Sequence, residues 1–136
     1  MNRLNKFTTA YVTCALWCGV FDESIENDLN HDLTPEDISD NTLHVMVEDC
    51  TRFWGEIKDL VPSGTEVQGG HDFWLTRNGH GAGFWDSPEV YGEDIADNLT
   101  VLAKNFRTRP EGKYIFPSRT PEFELYIGDD GKVYHV

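Results

Sequence analysis

The chain is poor in basic residues, and this scarcity excludes a large class of functions. Only 11 lysines and arginines stand against 24 acidic residues among 136 positions, which gives a formal net charge of −13. A charge of this sign repels nucleic acid phosphates and favours cationic partners. Direct binding of DNA or RNA is therefore not expected.

Long apolar runs are absent and cysteines are few. No apolar stretch approaches the roughly 20 residues that a membrane-spanning helix needs, and the N-terminus lacks the charged-then-apolar pattern of a signal peptide. The chain has three cysteines, an odd number, and all three occupy apolar positions: Cys14, Cys18 and Cys50. This favours free thiols in a reducing compartment. We therefore expect a cytosolic protein that folds as one domain over residues 1–136.

The acidic residues are concentrated in positions 22–60, where twelve acids face only Arg52 and Lys58. Carboxylates one or two helical turns apart lie ~5 to 11 Å from each other, a spacing comparable to that of phosphates along a strand. Such a surface could occupy a basic nucleic-acid groove on another protein, whereas the simpler alternative is a solvated face that only prevents aggregation. The acids concerned are Asp40, Glu48, Asp49, Glu56 and Asp59 on a predicted helix, with Asp22, Glu23, Glu26, Asp28 and Asp32 in the loop before it.

Residues 1–62 are predicted to form an acidic helical half. Apolar residues from Phe7 to Phe21 recur at three- and four-residue spacing, and the same period runs from Leu43 to Val61, so both stretches predict helices. Thr34-Pro35-Glu36-Asp37 is a typical helix start, and Pro62-Ser63-Gly64 ends the second helix.

Residues 63–136 are predicted to form a ββαββ half. Residues 71–86 alternate aromatic and polar side chains around Asn78-Gly79, which favours an aromatic β-hairpin. A helix starts near Ser87-Pro88, and two apolar stretches around a Gly-Asp-Asp-Gly turn predict a second hairpin over 123–136. The expected fold class is α+β, with two N-terminal helices and ββαββ, the helices packed on one face of an antiparallel sheet.

The predicted hairpin over 71–86 carries the densest group of chemically active side chains. Two imidazoles near a carboxylate could bind a metal or act as acid and base, and a nearby guanidinium could hold an anion. The alternative is structural, with polar tips bonded to the turn while Trp74 and Trp85 pack. The residues of this candidate ligand site are His71, Asp72, Arg77, Asn78 and His80.

Two weaker candidates are better explained without a ligand. Cys14, Cys18 and Cys50, considered with His44 as zinc ligands, occupy apolar helix positions where a free cysteine acts as a small hydrophobe. Asp129-Asp130 between two glycines suits a hairpin turn and lacks the spaced oxygen ligands of a calcium loop. We therefore predict no cofactor and no metal.

Two stretches of the sequence resemble a small protein family that is widespread in tailed bacteriophage genomes. They are HDFWLTRNGHGAGFWD, over 71–86, and the ending LYIGDDGKVYHV. The resemblance covers roughly residues 35–136; the chain departs from it at Ser87–Tyr91 and in the proline-rich insertion around 110–121. It implies phage origin and expression in the host bacterial cytoplasm, and it implies no particular reaction.

The function expected from these observations is that of a non-enzymatic accessory protein. It would bind and antagonise a host protein with a basic surface, such as a nucleic-acid-handling or defence enzyme. The acids would steer the encounter, and Trp74, Trp85 and Arg77 would anchor the contact, because Trp and Arg dominate binding hot spots. Alternatives are a small nucleotide- or metal-binding or hydrolytic domain that uses the 71–86 hairpin, and a virion component.

Overall fold

The computed structural model describes residues 5–18, 20–21, 33–79, 82–107 and 123–135. These residues form helices α1 to α5, two short 3-10 turns and strands β1 to β3. The helices are α1 (Lys6–Cys18), α2 (Asp40–Ile57), α3 (Glu66–Arg77), α4 (Pro88–Tyr91) and α5 (Glu93–Lys104); the 3-10 turns are Pro35–Asp37 and Phe84–Asp86; the strands are β1 (Val20–Phe21), β2 (Leu125–Ile127) and β3 (Val133–His135). None of these helices has the length and apolarity needed to cross a bilayer.

The predicted α+β class with a ββαββ half is wrong. The stretch expected to form the aromatic hairpin is instead α3, a turn and the 3-10 turn Phe84–Asp86. The sheet has the order β1-β2-β3 and contains only short strands, with β1 parallel and β3 antiparallel to β2. The protein is mainly helical, and the sheet is too small to support the helices as a layer.

Four predicted elements are confirmed: α1, α2, the helix expected to start near Ser87-Pro88, which forms as α4 and α5, and the C-terminal hairpin of β2 and β3. Helix α2 ends at Ile57, before the predicted end at Pro62-Ser63-Gly64. At Thr34 the expected start is present, because Asp37 Oδ2 accepts a hydrogen bond of 2.8 Å from the Thr34 amide, but it opens only a 3-10 turn. The long helix α2 is capped by Ser39, whose Oγ accepts from the Thr42 amide at 3.2 Å. A hydroxyl in this position satisfies one of the free amides at a helix N-terminus.

Helix α3 packs closely on α1 and is buried on several sides. A Cβ on Gly70 would lie 2.2 Å from the Phe7 carbonyl oxygen and 2.8 Å from the Ala10 Cβ. The absence of a side chain at Gly70 therefore lets the two helices approach, which offsets the low helix propensity of glycine. Gly79, with φ of +73°, then ends the helix in the left-handed conformation.

Aromatic rings join the helices at the centre of the core. Phe53 of α2 stacks on Phe73 of α3 with ring centroids 4.0 Å apart and planes 2° from parallel. Phe106, just after α5, stands edge-on to both rings. The core therefore forms where α2, α3 and the end of α5 meet, and the stretch from His71 to Arg77 runs along it.

Candidate functional site

The stretch 71–86, the strongest candidate for a ligand site, lies largely inside the protein. Phe73, Trp74, Thr76, Arg77 and Phe84 are each at most 2% exposed. A helix that is buried on several sides cannot present a row of polar tips to a ligand. Each polar side chain of the stretch must instead find a partner within the protein, because burying an unpaired polar group is costly.

Arg77 is held by an ionic contact in the core. Its Nη1 donates to Asp49 Oδ2 at 2.9 Å and to the Tyr11 hydroxyl at 3.0 Å. Burial alone lowers the pKa of the guanidinium, but the Tyr11 and Asp49 oxygens raise it by more, so Arg77 stays charged. This contact joins α1, α2 and α3.

Three aromatic rings surround the Arg77 guanidinium. Its central carbon lies 5.4 Å from the Phe73 ring centroid, 5.0 Å from that of Phe106 and 5.5 Å from that of Phe123. Contacts of this kind are favourable for a desolvated cation. Because the rings come from α3, the end of α5 and the approach to β2, Arg77 holds together parts of the chain that are distant in sequence.

Asp72 forms a second internal polar contact. Its Oδ2 accepts hydrogen bonds from Tyr91 Oη at 2.8 Å and from Gln68 Nε2 at 3.0 Å. Burial raises the pKa of the Asp72 carboxyl above its ordinary value, and these two hydrogen bonds oppose the rise only in part. Burial also raises the pKa of the Tyr91 hydroxyl. Asp72 thus ties α3 to α4 through its Oδ2, which accepts from two protein donors.

Thr76 and Asn78 fix the turn that follows α3. Thr76 Oγ1 accepts from the Phe84 amide at 3.0 Å, and a Cβ on Gly83 would lie 2.2 Å from the same oxygen. Asn78 Nδ2 donates to the Trp74 carbonyl at 3.0 Å, and its Oδ1 accepts from the Phe123 amide at 2.7 Å. The structural alternative expected for the stretch is thus met only in part: Asn78 bonds to backbone groups and Trp74 is buried, but Asp72 bonds to two side chains and Trp85 is exposed.

The structure does not assemble the predicted ligand site in the residues it describes. Asp72, Arg77 and Asn78 are engaged internally, His71 is half-buried, and His80 lies outside the described residues. Across residues 5–18, 20–21, 33–79, 82–107 and 123–135, no group of three or more His, Cys, Asp or Glu side chains could hold a metal ion.

The cysteine candidate is not assembled either. Burial raises the pKa of the Cys50 thiol well above its ordinary value, which keeps it protonated and a poor metal ligand. Cys14 is half-buried and lies with its Sγ 4.0 Å from the His71 carbonyl oxygen. His44 is exposed on α2, and the Cys18 side chain is outside the described set.

The predicted partner-binding residues divide into exposed and buried groups. Asp40, Glu56 and Asp59 are exposed, Glu48 is half-buried and Trp85 is 40% exposed. The prediction that Asp49, Trp74 and Arg77 belong to the outer surface is wrong, because they are at most 1% exposed and no partner could reach them in the folded protein. The predicted acidic loop, with Asp22, Glu23, Glu26, Asp28 and Asp32, lies outside the described residues.

The surface of the described residues is strongly acidic. Twelve carboxylates are exposed, against four exposed cations, all lysines, and none of the twelve forms an ion pair with a lysine or arginine of the described ranges. The twelve are Glu36, Asp40, Glu56, Asp59, Asp86, Glu89, Glu93, Asp94, Asp97, Glu124, Asp129 and Asp130.

Five of these carboxylates form an acidic segment that sequence reasoning missed. They occur in residues 86–97, within a longer stretch from 78 to 103 that contains no lysine or arginine. The sequence does carry a signal for this segment, a local run of negative charge, but it is smaller than the acidic excess in 22–60. The exposed Trp85 directly precedes this segment.

Comparison with known proteins finds no relative: no family model, no curated protein and no solved structure matches the chain. The likeness to the bacteriophage family therefore stays a prediction that rests on the two quoted stretches of sequence.

Proposed function

We propose that the protein is an acidic accessory protein that binds the basic surface of a host protein and antagonises it. A nucleic-acid-handling or defence enzyme is the class of partner that fits, because such enzymes carry basic grooves for phosphates. Phage origin and action in the bacterial cytoplasm are part of the proposal and rest on the resemblance given above.

One observation carries the proposal: among the residues that the structure describes, the exposed carboxylates greatly outnumber the exposed cations and are not paired with them. A carboxylate already bound to a neighbouring lysine or arginine would contribute little to the field felt by a partner. Unpaired carboxylates leave the surface potential negative, which accelerates encounter with a positive surface and excludes partners of like charge.

The acids of α2 form the part of this surface that the sequence predicts best. Asp40, Glu48 and Glu56 follow one another at intervals of eight residues, or ~12 Å of helix rise and ~80° of rotation each, so they wind around the helix rather than form one straight row. Asp59 lies just beyond the helix end, with the exposed Lys58 beside it. Of the predicted anchors only Trp85 is exposed, so the proposal retains Trp85 and omits Trp74 and Arg77.

The proposal can be tested by capture of partners from a bacterial lysate on the immobilised protein. We expect a captured protein that is released between about 50 mM and about 200 mM salt and that is displaced by duplex DNA, since counterions and phosphates compete for the same basic surface. Binding of the purified partner would then be measured with variants of the acidic protein.

Two variants with the same change in charge locate the binding surface. The first replaces Asp40, Glu48, Glu56 and Asp59 by the corresponding amides. The matched control does the same at Asp86, Glu93, Asp97 and Glu124, which are all exposed and likewise include one acid in the first turn of an α-helix. Loss of binding in the first variant alone supports the α2 surface. Binding that ignores salt, DNA and both variants would refute the proposal.

A further inference from the structure

A groove of about 520 Å³ opens on the C-terminal hairpin, away from the buried polar contacts of α3. Its two aromatic walls are Tyr126 of β2 and Tyr134 of β3, which face each other across the hairpin. Their ring centroids are 5.8 Å apart with planes 24° from parallel, and Tyr126 remains 41% exposed. The groove is lined by Tyr126, Ile127, Gly128, Asp129, Asp130 and Tyr134.

The Tyr134 ring is fixed in place by its neighbours. Its hydroxyl donates to Asp130 Oδ2 at 2.5 Å, while Asp130 Oδ1 accepts from the Lys132 amide at 3.0 Å. The bond from Tyr134 lowers the pKa of the Asp130 carboxyl, which therefore stays charged. A Cβ on Gly128 would lie 2.6 Å from the Tyr134 ring, so a residue without a side chain is needed beneath it. Tyr134 is thus positioned on one side by Asp130 and Gly128 and stacks against Tyr126 on the neighbouring strand.

Asp129 is the groove carboxylate that stays available to a ligand. It is exposed and forms no hydrogen bond or ion pair with another described residue. A flat aromatic face beside a free carboxylate offers two contacts to a planar cation, one by stacking and one by a charge-assisted hydrogen bond. Both contacts suit a guanidinium better than an ammonium, because a guanidinium is planar and more weakly hydrated.

We propose that this groove binds an arginine side chain of a partner protein, with the guanidinium stacked on Tyr126 and paired with Asp129. The inference rests on the proposed function and deepens it, because it names one chemical contact through which a basic partner is recognised. Charge complementarity selects this occupant: Asp129 and Asp130 of the groove outweigh Lys132, the hairpin's own cation.

A titration with short capped peptides, followed by the backbone amide signals of the full chain, tests the groove without any partner. The peptides are Gly-Arg-Gly, Gly-Lys-Gly and Gly-citrulline-Gly, the last being an uncharged analogue of the first. We expect saturable shifts confined to residues 125–135 with the arginine peptide, with a dissociation constant on the order of 1 mM for a single side chain. The lysine peptide should bind more weakly, and the citrulline peptide should not bind.

Variants then separate the groove from general attraction to an acidic surface. Asp129→Asn should weaken the arginine peptide about five-fold, as loss of a charge-assisted hydrogen bond does. Tyr126→Ala should weaken binding of the arginine peptide by a similar factor. Tyr126→Phe should bind the peptide as wild type does, because stacking needs only the ring. The control is Glu124→Gln, which removes an exposed carboxylate near the hairpin but outside the groove lining.

The inference is overturned if the shifts spread over all exposed acids, if citrulline binds as well as arginine, or if Glu124→Gln matches Asp129→Asn. Its failure is distinct from failure of the proposed function. A captured partner that responds to the α2 variant but not to Asp129→Asn or Tyr126→Ala would refute the groove alone. Peptide binding in the groove without any salt-sensitive partner would refute the proposed function alone.

Discussion

Asp72 and Arg77 of α3 differ sharply in exposure from the outer acids of α2. In α3, Asp72 and Arg77 are buried and bonded to neighbouring helices. On α2, Asp40 and Glu56 are exposed and pair with no described lysine or arginine. The comparison teaches that a dense group of reactive residue types in a sequence does not by itself mark a functional site, because the same types can build a core.

The largest expected difference between the two regions comes from Arg77→Met. Removing the guanidinium takes away the 2.9 Å contact of the buried Asp49 carboxylate, while the contact to Arg52 is longer, at 3.6 Å. Breaking a buried pair in this way costs about 3–5 kcal/mol of unfolding free energy, measured by urea denaturation. Arg52→Met, which removes a partly exposed guanidinium from the same carboxylate, should cost under about 1 kcal/mol.

The double variant Asp49→Asn/Arg77→Met sharpens this result. It no longer leaves a charge buried without its main partner, so its cost should be smaller than the sum of the two single costs. If the costs of the single variants simply add, the two side chains do not act as a pair, and the buried contact is not what Arg77 contributes.

Two glycines provide the next largest contrast. Gly70→Ala places a methyl group against the Phe7 carbonyl and should cost about 1–3 kcal/mol through overpacking between α1 and α3. Gly55→Ala, on the exposed side of α2 with nothing within 4 Å, should instead stabilise the protein by about 0.5–1 kcal/mol through helix propensity. Thermal denaturation of both variants decides whether α3 is as closely packed as described.

The pH dependence of Asp72 gives a smaller effect with a definite sign. Because burial raises the pKa of the folded carboxyl, its contribution to stability is present below the ordinary value of 3.8 and is lost as pH rises through the folded value. Asp72→Asn keeps a hydrogen-bond acceptor but cannot ionise. Urea denaturation across this window should therefore show wild type losing stability relative to the variant as pH rises. A constant difference would contradict a desolvated carboxyl.

The smallest expected effect on stability belongs to the exposed acids of α2. Replacing Asp40 by asparagine or Glu56 by glutamine should change the unfolding free energy by no more than about 0.5 kcal/mol, as is usual for surface positions. Added salt should shrink any change further. A loss as large as that of Arg77→Met would show that these acids are structural and would remove the contrast between the two regions.

Sequence patterns predicted α1, α2, the helical stretch of α4 and α5, and the C-terminal hairpin, because each carries a regular apolar period, a helix start or a turn with two flanking apolar strands. They failed at α3 for two reasons. Gly69-Gly70 reads as a helix breaker, yet it permits the approach to α1. Asn78-Gly79 reads as a hairpin turn, yet an asparagine and a left-handed glycine also end a helix.

The site could be predicted only in part, because burial depends on the whole fold. The exposure of Asp40 and Glu56 follows from the apolar stripe of their own helix. The burial of Arg77 does not, since it requires Tyr11, Asp49 and Phe123 from distant parts of the chain. The pairing of Tyr126 with Tyr134 follows directly from the hairpin register.

Amide hydrogen exchange along α3 tests most directly whether the stretch 71–86 builds the core. We predict that the amides of Phe73 to Arg77 exchange in the slowest class, at the rate set by global unfolding, as expected for a central buried helix. Fast exchange at these amides, while those of α2 stay protected, would contradict a core-forming α3 and restore the stretch as a candidate for an exposed recognition element.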